Sequence, residues 1–193
     1  MKSLSDQVKR AIADTGTQIE YAALMSFISV ESGGRGFCPK TGKPMIQFEP
    51  KWFSKKSGIE ISHTNSYSWD ENQIEIQPAE WKAFSEAFRI NPDAAMESTS
   101  IGLPQIMGFH WKRLGYPSVG DMWDDFKRSE THQIKALIKF IETDSRLLKA
   151  LLEKDWHKVA MIYNGTGYAV LAHKIGREPY NISMAKAYEK FSG

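Results

Sequence analysis

Hydrophobic and polar positions along most of the chain follow a helical period. Thr17-Gln18-Ile19-Glu20 has the form of a capping box, in which a Thr side chain and a Glu three residues later satisfy early backbone N–H groups. It predicts the start of a helix that continues through Tyr21, Leu24, Phe27, Ile28 and Val30. Because apolar residues occupy nearly every face of this segment, we expect the helix to be buried. Ser32-Gly33-Gly34 ends it and leaves Glu31 on its last turn.

The hydrophobic period changes in the segment that follows this helix. Lys40 to Lys43 is a turn signal, and Met45 to Glu49 alternates between two faces. This pattern predicts a small β-hairpin over residues 37–50. Successive side chains of a strand point to opposite faces, so Ile46 and Phe48 share one face and Glu49 lies on the other.

Helical signals dominate the rest of the chain. They predict a helix with Pro78 in its first turn that runs through Phe88, and a short helix starting at Asn91-Pro92. They also predict a long amphipathic helix from Ser129 that includes Leu151, and helices near 155–163 and 181–191. The predicted fold class is therefore α+β, mainly α, with a small hairpin or sheet after the buried helix. No repeat or Pro/Ser-rich linker interrupts the chain, which predicts a single domain over residues 1–193.

Composition and charge exclude several classes of protein. The chain has one cysteine, Cys38, so it cannot form an internal disulfide, and its five histidines lack the spacing of a metal site. No segment resembles a signal peptide, so we expect the protein to be made in the cytoplasm. The net charge is only +2, but residues 111–193 carry 14 Lys and Arg against 10 Asp and Glu. This basic half suits weak contact with an anionic cell envelope, but so small an excess is more simply explained by solvated charges on amphipathic helices.

Two carboxylates stand out as candidates for catalysis. Glycoside hydrolysis needs a carboxylic acid that stays protonated near neutral pH and commonly a second carboxylate. Glu31 ends an apolar helix and precedes three small residues, which suits a desolvated acid that a ligand can approach. Glu49 lies where the hairpin turns back toward that helix. The alternative for each is a solvated glutamate at the end of an element.

Two further segments have residue types that bind sugars. The first runs from Ser98 to Gly108, where Gly102 and Gly108 bracket an apolar stretch whose side-chain amide is Gln105; it predicts a tight turn into a helix. In the second, Tyr163 and Asn164 end a predicted helix before Gly165. A helix cap with Tyr163 in the core is the alternative.

Taken in order, these motifs resemble the phage-endolysin N-acetylmuramidase domain. The resemblance rests on Val30 to Phe37, Ile46 to Glu49, Ser98 to Gly108 and Tyr163-Asn164-Gly165, and it extends over about residues 15 to 190. It implies a lysozyme-like fold and cleavage of the β-1,4 bond between N-acetylmuramic acid and N-acetylglucosamine in peptidoglycan. Glu31 matches the family's acid and Glu49 a second catalytic group, while Ser98, Gln105, Tyr163 and Asn164 match positions around the substrate.

The resemblance also sets expectations about partners. It implies glycan strands of the cell wall as substrate, no cofactor, no metal, no nucleic acid and a monomeric enzyme, without a separate peptidoglycan-binding module. A lytic transglycosylase would cleave the same bond and leave a 1,6-anhydro product. A non-catalytic wall-binding or virion structural protein is the alternative from another class, although such a protein has no need for an acid at a helix end.

Overall fold

The computed structural model describes residues 3–59 and 76–193 of the chain. They form two compact units. One joins Met1–Gly34 with Ile134–Gly193, and the other comprises Arg35–Gln133. Each unit is described separately below, as the terminal unit and the central unit.

The terminal unit is entirely helical within the described residues. Its helices are α1 (Leu4–Thr15), α2 (Tyr21–Ser32), α7 (Glu130–Glu142, which begins in the central unit), α8 (Ser145–Leu152), α9 (Trp156–Asn164), α10 (Tyr168–Lys174) and α11 (Tyr180–Ser192). Helix α2 lies at its centre, packed most extensively against α11 and also against α1. Every residue of α2 from Ala22 to Ile28 is buried, which confirms the prediction of a helix covered on nearly all sides.

The predicted capping box at the start of α2 is wrong. The helix begins at Tyr21 with Glu20 as its N-cap, and the Glu20 side chain does not cap it. That carboxylate instead pairs with Lys154 at 3.0 Å and accepts a hydrogen bond from the Tyr188 hydroxyl at 2.8 Å. Charge-assisted bonds to residues far along the chain therefore replace the local bonds that the motif predicted.

The central unit holds the only sheet found among the described residues. Its elements are β1 (Ile46–Phe48), α3 (Pro50–Ser57), α4 (Gln77–Ile90), α5 (Pro92–Glu97), β2 (Thr99–Ile101), β3 (Ile106–Met107), a short 3₁₀ helix (Gly108–His110) and α6 (Val119–Arg128). The three strands are antiparallel in the order β1-β2-β3. Ile46 pairs with Ile101, and both side chains are fully buried. Phe48 is buried as well, which confirms that Ile46 and Phe48 form the core face of β1.

The hairpin predicted over residues 37–50 is present only as an isolated bridge between Phe37 and Pro44. Strand β1 pairs instead with β2, some 50 residues later in the chain. The tight turn predicted after Gly102 is present, but it connects β2 to β3, and the helix that follows is only the short 3₁₀ helix Gly108–His110. Alternation along a strand shows which face is buried, but it does not identify the partner strand.

The long amphipathic helix predicted from Ser129 is two helices, α7 and α8. Asp144 separates them, because its side chain accepts hydrogen bonds from the backbone N–H groups of Arg146 and Leu147 and so caps α8. The helices expected after Pro78, at Asn91-Pro92, and near 155–163 and 181–191 are confirmed. The predicted elements did not include helices α1, α3, α6 and α10. The mainly helical α+β class is confirmed. No helix in the described part of the chain is both long and apolar enough to cross a membrane.

Candidate active site

Glu31 is held rigidly at the carboxyl end of α2. Gly33 ends the helix in the left-handed conformation, with φ at 60°, which a residue with a side chain rarely adopts. The N–H groups of Gly33 and Gly34 donate to the carbonyls of Ser29 and Ile28 at 3.1 and 3.3 Å. This pairing satisfies the last carbonyls of the helix and fixes the turn that carries Glu31.

The Glu31 carboxyl is desolvated but remains partly accessible. The hydroxyl of Tyr180 donates a hydrogen bond to Glu31 Oε1 at 2.5 Å. Burial raises the pKa of Glu31 to about 7, and the bond from Tyr180 opposes that rise. Near neutral pH a large fraction of Glu31 is therefore protonated, as a general acid requires.

Two tyrosine rings lie next to this acid. Tyr163, at the end of α9, stacks on Tyr180 with ring centroids 6.1 Å apart and packs edge-on against Phe27 at 4.9 Å. Burial, and secondly the charge of Glu31, hold the pKa of both tyrosines well above its usual range. Both hydroxyls thus stay protonated, and Tyr163 lies beside Glu31; its contact with a sugar stays a prediction. Asn164 ends α9 and is exposed.

Glu49 lies in the central unit, at the junction of β1 and α3. Its N–H donates to the carbonyl of Ser98 at 2.8 Å, and its Oε1 accepts from Gln47 Nε2 at 3.2 Å. The residue is half-buried, and burial raises the pKa of its carboxyl, with Lys51 opposing the rise. Glu31 and Glu49 belong to different units.

Sequence reasoning missed a second acid behind Glu49. Glu80 of α4 is fully buried, and its Oε2 accepts from the N–H of Phe48 at 2.8 Å. Its Oε1 has no hydrogen-bond partner among the described residues. Burial first, and then the nearby charge of Glu49, raise the pKa of Glu80 to about 7, while the bond from Phe48 lowers it. One turn earlier, Gln77 bonds both backbone groups of Ile46, at 3.0 and 2.9 Å.

Ser98 and Gln105 occupy structural positions in the central unit. Ser98 has no solvent exposure, so its hydroxyl does not reach a ligand in this conformation. Gln105 has a φ of 48° in the β2-β3 turn, where its amide donates to the carbonyl of Gly102 at 2.8 Å and accepts from the Ser100 hydroxyl at 2.9 Å. These bonds hold the hairpin turn together. A substrate contact by either residue stays a prediction.

The glycines that bracket this segment are required by close approach. A side chain on Gly102 would meet the Gln133 amide at 2.7 Å, and one on Gly108 would meet the Met96 carbonyl oxygen at 2.0 Å. Gln133 uses that approach to accept from the N–H of Leu103 at 2.8 Å. The motif therefore reflects packing of the hairpin. Across residues 3–59 and 76–193, no group of three His, Cys, Asp or Glu side chains is arranged to hold a metal ion.

With this geometry established, comparison with known proteins identifies the family. The profile of the N-acetylmuramidase family matches residues 20–192 of the chain. The chain belongs to the N-acetylmuramidase family. This muramidase is also similar to the solved structure of the Burkholderia AP3 phage endolysin, with 32% sequence identity and a TM-score of 0.77 over 97% of this chain and 70% of that one. The comparison with curated proteins gave no match.

The muramidase residues that sequence reasoning missed, Tyr180 and Glu80, share a reason for being missed. Tyr180 is 149 residues from Glu31 along the chain, and Glu80 is 32 residues from Phe48. Neither has a local motif. The available signals were indirect. Tyr180 starts a helix directly after Pro179, and Glu80 and Gln77 are the polar members of a buried set in α4 that otherwise consists of Ala83, Phe84 and Ala87.

Proposed function

We propose that this muramidase hydrolyses the β-1,4 bond between N-acetylmuramic acid and N-acetylglucosamine in bacterial peptidoglycan, as a phage endolysin does. Membership of the N-acetylmuramidase family and the similarity to an endolysin support degradation of peptidoglycan. The observation that carries the finer proposal is the desolvated Glu31 carboxyl with its Tyr180 hydrogen bond and a pKa raised to about 7.

Glu31 acts in this proposal as the general acid. It gives its proton to the glycosidic oxygen as the bond to C1 of the muramic acid breaks, and water completes the reaction at C1. The bond from Tyr180 stabilises the carboxylate that is left after transfer. Glu49 serves as the second carboxylate, which either stabilises positive charge on the sugar or activates the water. Tyr163 and Asn164 contact the glycan beside Glu31.

The decisive variant is Glu31→Gln, which keeps the size of the side chain and cannot donate a carboxylic proton. Loss of general-acid catalysis lowers the rate by about two to four orders of magnitude. The assay is release of soluble fragments from purified peptidoglycan, with circular dichroism to show that the variant is folded. Glu142→Gln, the same change at an exposed position of α7, is the control and should retain wild-type activity.

Product analysis and pH dependence complete the test. Mass spectrometry of the released fragments distinguishes the two reactions. A hydrolase leaves a reducing muramic acid, and a transglycosylase leaves a 1,6-anhydro muramic acid that is lighter by the mass of one water molecule. Because the protonated acid is the active form, kcat/KM should fall as pH rises through about 7. A folded Glu31→Gln protein with near wild-type turnover contradicts the assignment.

A further inference from the structure

A cavity of about 480 Å³ opens in the terminal unit next to the Tyr180–Glu31 pair. Its wall includes Val30, which precedes Glu31 in the chain, and Tyr180, which donates to it. Asn164 contributes another part of the wall. A ligand that occupies this cavity therefore lies in contact with neighbours of the proposed acid.

One side of the cavity is a helix face that protein atoms cover only in part. Tyr168, Leu171, Ala172 and Ile175 have the i, i+3, i+4, i+7 spacing of one face at α10, and all four line the cavity. Tyr168 and Ala172 are buried, whereas Leu171 and Ile175 are 58% and 52% exposed. An apolar stripe at this spacing is ordinarily covered, so its open half offers contact area to an apolar group of a ligand.

The same cavity has a free cation at its edge. Arg177 lines the cavity and is exposed, and its guanidinium makes no ion pair with any described residue. The neighbouring Glu178 is already paired with Lys186 and accepts from Ser183 at 3.1 Å. The guanidinium therefore remains available to a ligand carboxylate, which it can bind through two parallel hydrogen bonds.

We propose that this cavity binds the peptide stem of the peptidoglycan strand. Arg177 pairs with a carboxylate of the stem, and Leu171 and Ile175 contact its alanine methyl groups. The inference rests on the proposed function, because the stem is attached at C3 of the same muramic acid ring whose C1 is released in the reaction. The stem stays attached to this ring, so its first residues must lie close to the acid when C1 reacts. The cavity lies at that position.

The shape of the site favours a peptide over a membrane surface. Exposed apolar and basic residues also occur in segments that lie on lipid. A bilayer, however, contacts a flat or protruding face of a protein, whereas Leu171, Ile175 and Arg177 line a concave cavity. Concave sites with an apolar lining and a few placed polar groups are typical of small ligands and short chains.

The test compares two forms of one substrate, purified peptidoglycan and the same glycan strands after an amidase has removed the stems. Arg177→Gln should lower kcat/KM about fivefold more on the peptide-bearing form than on the stripped form, the size expected for an accessible ion pair. Leu171→Ser should show the same preference. Lys174→Gln removes a charge from an exposed residue of the same helix that does not line the cavity, and it should affect both substrates equally.

A binding measurement keeps the inference separate from the proposed activity. Muramyl dipeptide, which carries a sugar, an alanine and a carboxylate, should shift amide NMR signals of residues 171–177 in the Glu31→Gln protein, and a chitin disaccharide should not. If wild type cleaves neither substrate while the dipeptide binds, the proposed function fails and the inference stands. Equal losses on both substrates, or no shift, overturn the inference. Sedimentation with phosphatidylglycerol vesicles that depends on Leu171, without any substrate preference, also overturns it in favour of a membrane surface.

Discussion

At the scale of single residues, burial and the hydrogen bond from Tyr180 act in opposite directions on the pKa of Glu31. The bond favours the ionised form, whereas burial favours the protonated form more strongly, so the pKa settles near 7. A group with this value is divided between its two forms at neutral pH. Both the protonated acid and the carboxylate are therefore accessible near neutral pH, as a group that donates a proton and takes it back requires.

Replacing Tyr180 by Phe removes this bond and leaves the ring. The pKa of Glu31 should rise by about one unit, since a hydrogen bond to a charged group contributes about 1.5 kcal/mol. The alkaline limb of the pH profile of kcat/KM should move up by the same amount. Tyr188→Phe, which removes a hydroxyl bonded to Glu20 on the same helix, is the control and should leave the limb in place. An unchanged limb in Tyr180→Phe means that another group titrates.

The role of Glu49 can be tested in a similar way. If its charge stabilises the transition state, Glu49→Gln should lower kcat about a hundredfold and change KM little, because the missing interaction belongs to the transition state. Gln47→Ala is the control, since it removes the bond at 3.2 Å but keeps the Glu49 carboxylate. A Glu49→Gln enzyme with nearly full turnover removes this residue from the chemistry.

At the scale of elements, β1 is an edge strand whose outer backbone groups are covered by side chains. Gln77 and Glu80, one helical turn apart on α4, bond the backbone of Ile46 and Phe48 as a fourth strand would. Uncovered edges of this kind invite pairing with other chains. The arrangement also fixes the strand that ends at Glu49, so Glu80 acts on that residue through the backbone.

The Glu80 contact predicts how stability depends on pH. The pKa of Glu80 is about 7 in the folded chain and about 4.5, the usual value, in the unfolded chain. Between these values the Glu80 carboxyl is ionised in the unfolded chain and still protonated in the folded one. The free energy of unfolding should therefore decrease as pH rises through that window, by about 2 to 3 kcal/mol from this residue. The Glu80→Gln side chain cannot ionise and still accepts a hydrogen bond from the N–H of Phe48. In urea unfolding, the free energy of unfolding of this variant should therefore rise relative to that of wild type as pH increases from 4.5 to 7.

Two comparisons make that measurement specific. Glu80→Ala removes the acceptor for Phe48 and leaves a void, and it should cost about 2 to 4 kcal/mol even at pH 5. Glu189→Gln, at an exposed position of α11, should follow the wild-type pH dependence. If Glu80→Gln and wild type change in parallel across the window, Glu80 does not titrate in the folded state as its burial requires.

Element types were easier to predict from the sequence than their ends and partners. The period of apolar residues was sufficient to predict helices α2, α4, α9 and α11. A helix that buries one stripe or all of its faces has a recognisable pattern of apolar residues along the sequence. Three failures had nonlocal causes. Glu20 is drawn away from the capping box by Lys154 and Tyr188, Asp144 caps a new helix inside an apolar repeat, and β1 pairs with a strand 53 positions away at Gln47 and Ser100.

At the scale of the whole molecule, the family was recognisable from four short motifs, but their residues do different work. Tyr163 lies close enough to the Glu31 carboxyl for the charge of Glu31 to raise the pKa of the tyrosine. Gln105 and the two glycines of its motif stabilise the β2-β3 hairpin through hydrogen bonds and close approaches inside the central unit. A motif records which residues a fold retains, and it does not separate those that hold the fold from those that meet the substrate.

The prediction of a single domain can be tested by calorimetry. The chain crosses from one unit to the other at residues 34–35 and 133–134 without a linker, and the second crossing lies inside helix α7. Helix formation is cooperative, so when one end of α7 unfolds, the helical state of its other end should become less stable. We therefore expect one unfolding transition whose calorimetric and van't Hoff enthalpies agree. Tyr180→Phe and Glu80→Ala, one in each unit, should both lower the midpoint of that same transition. Two separate transitions, each moved by only one of the substitutions, would show two independently folding domains.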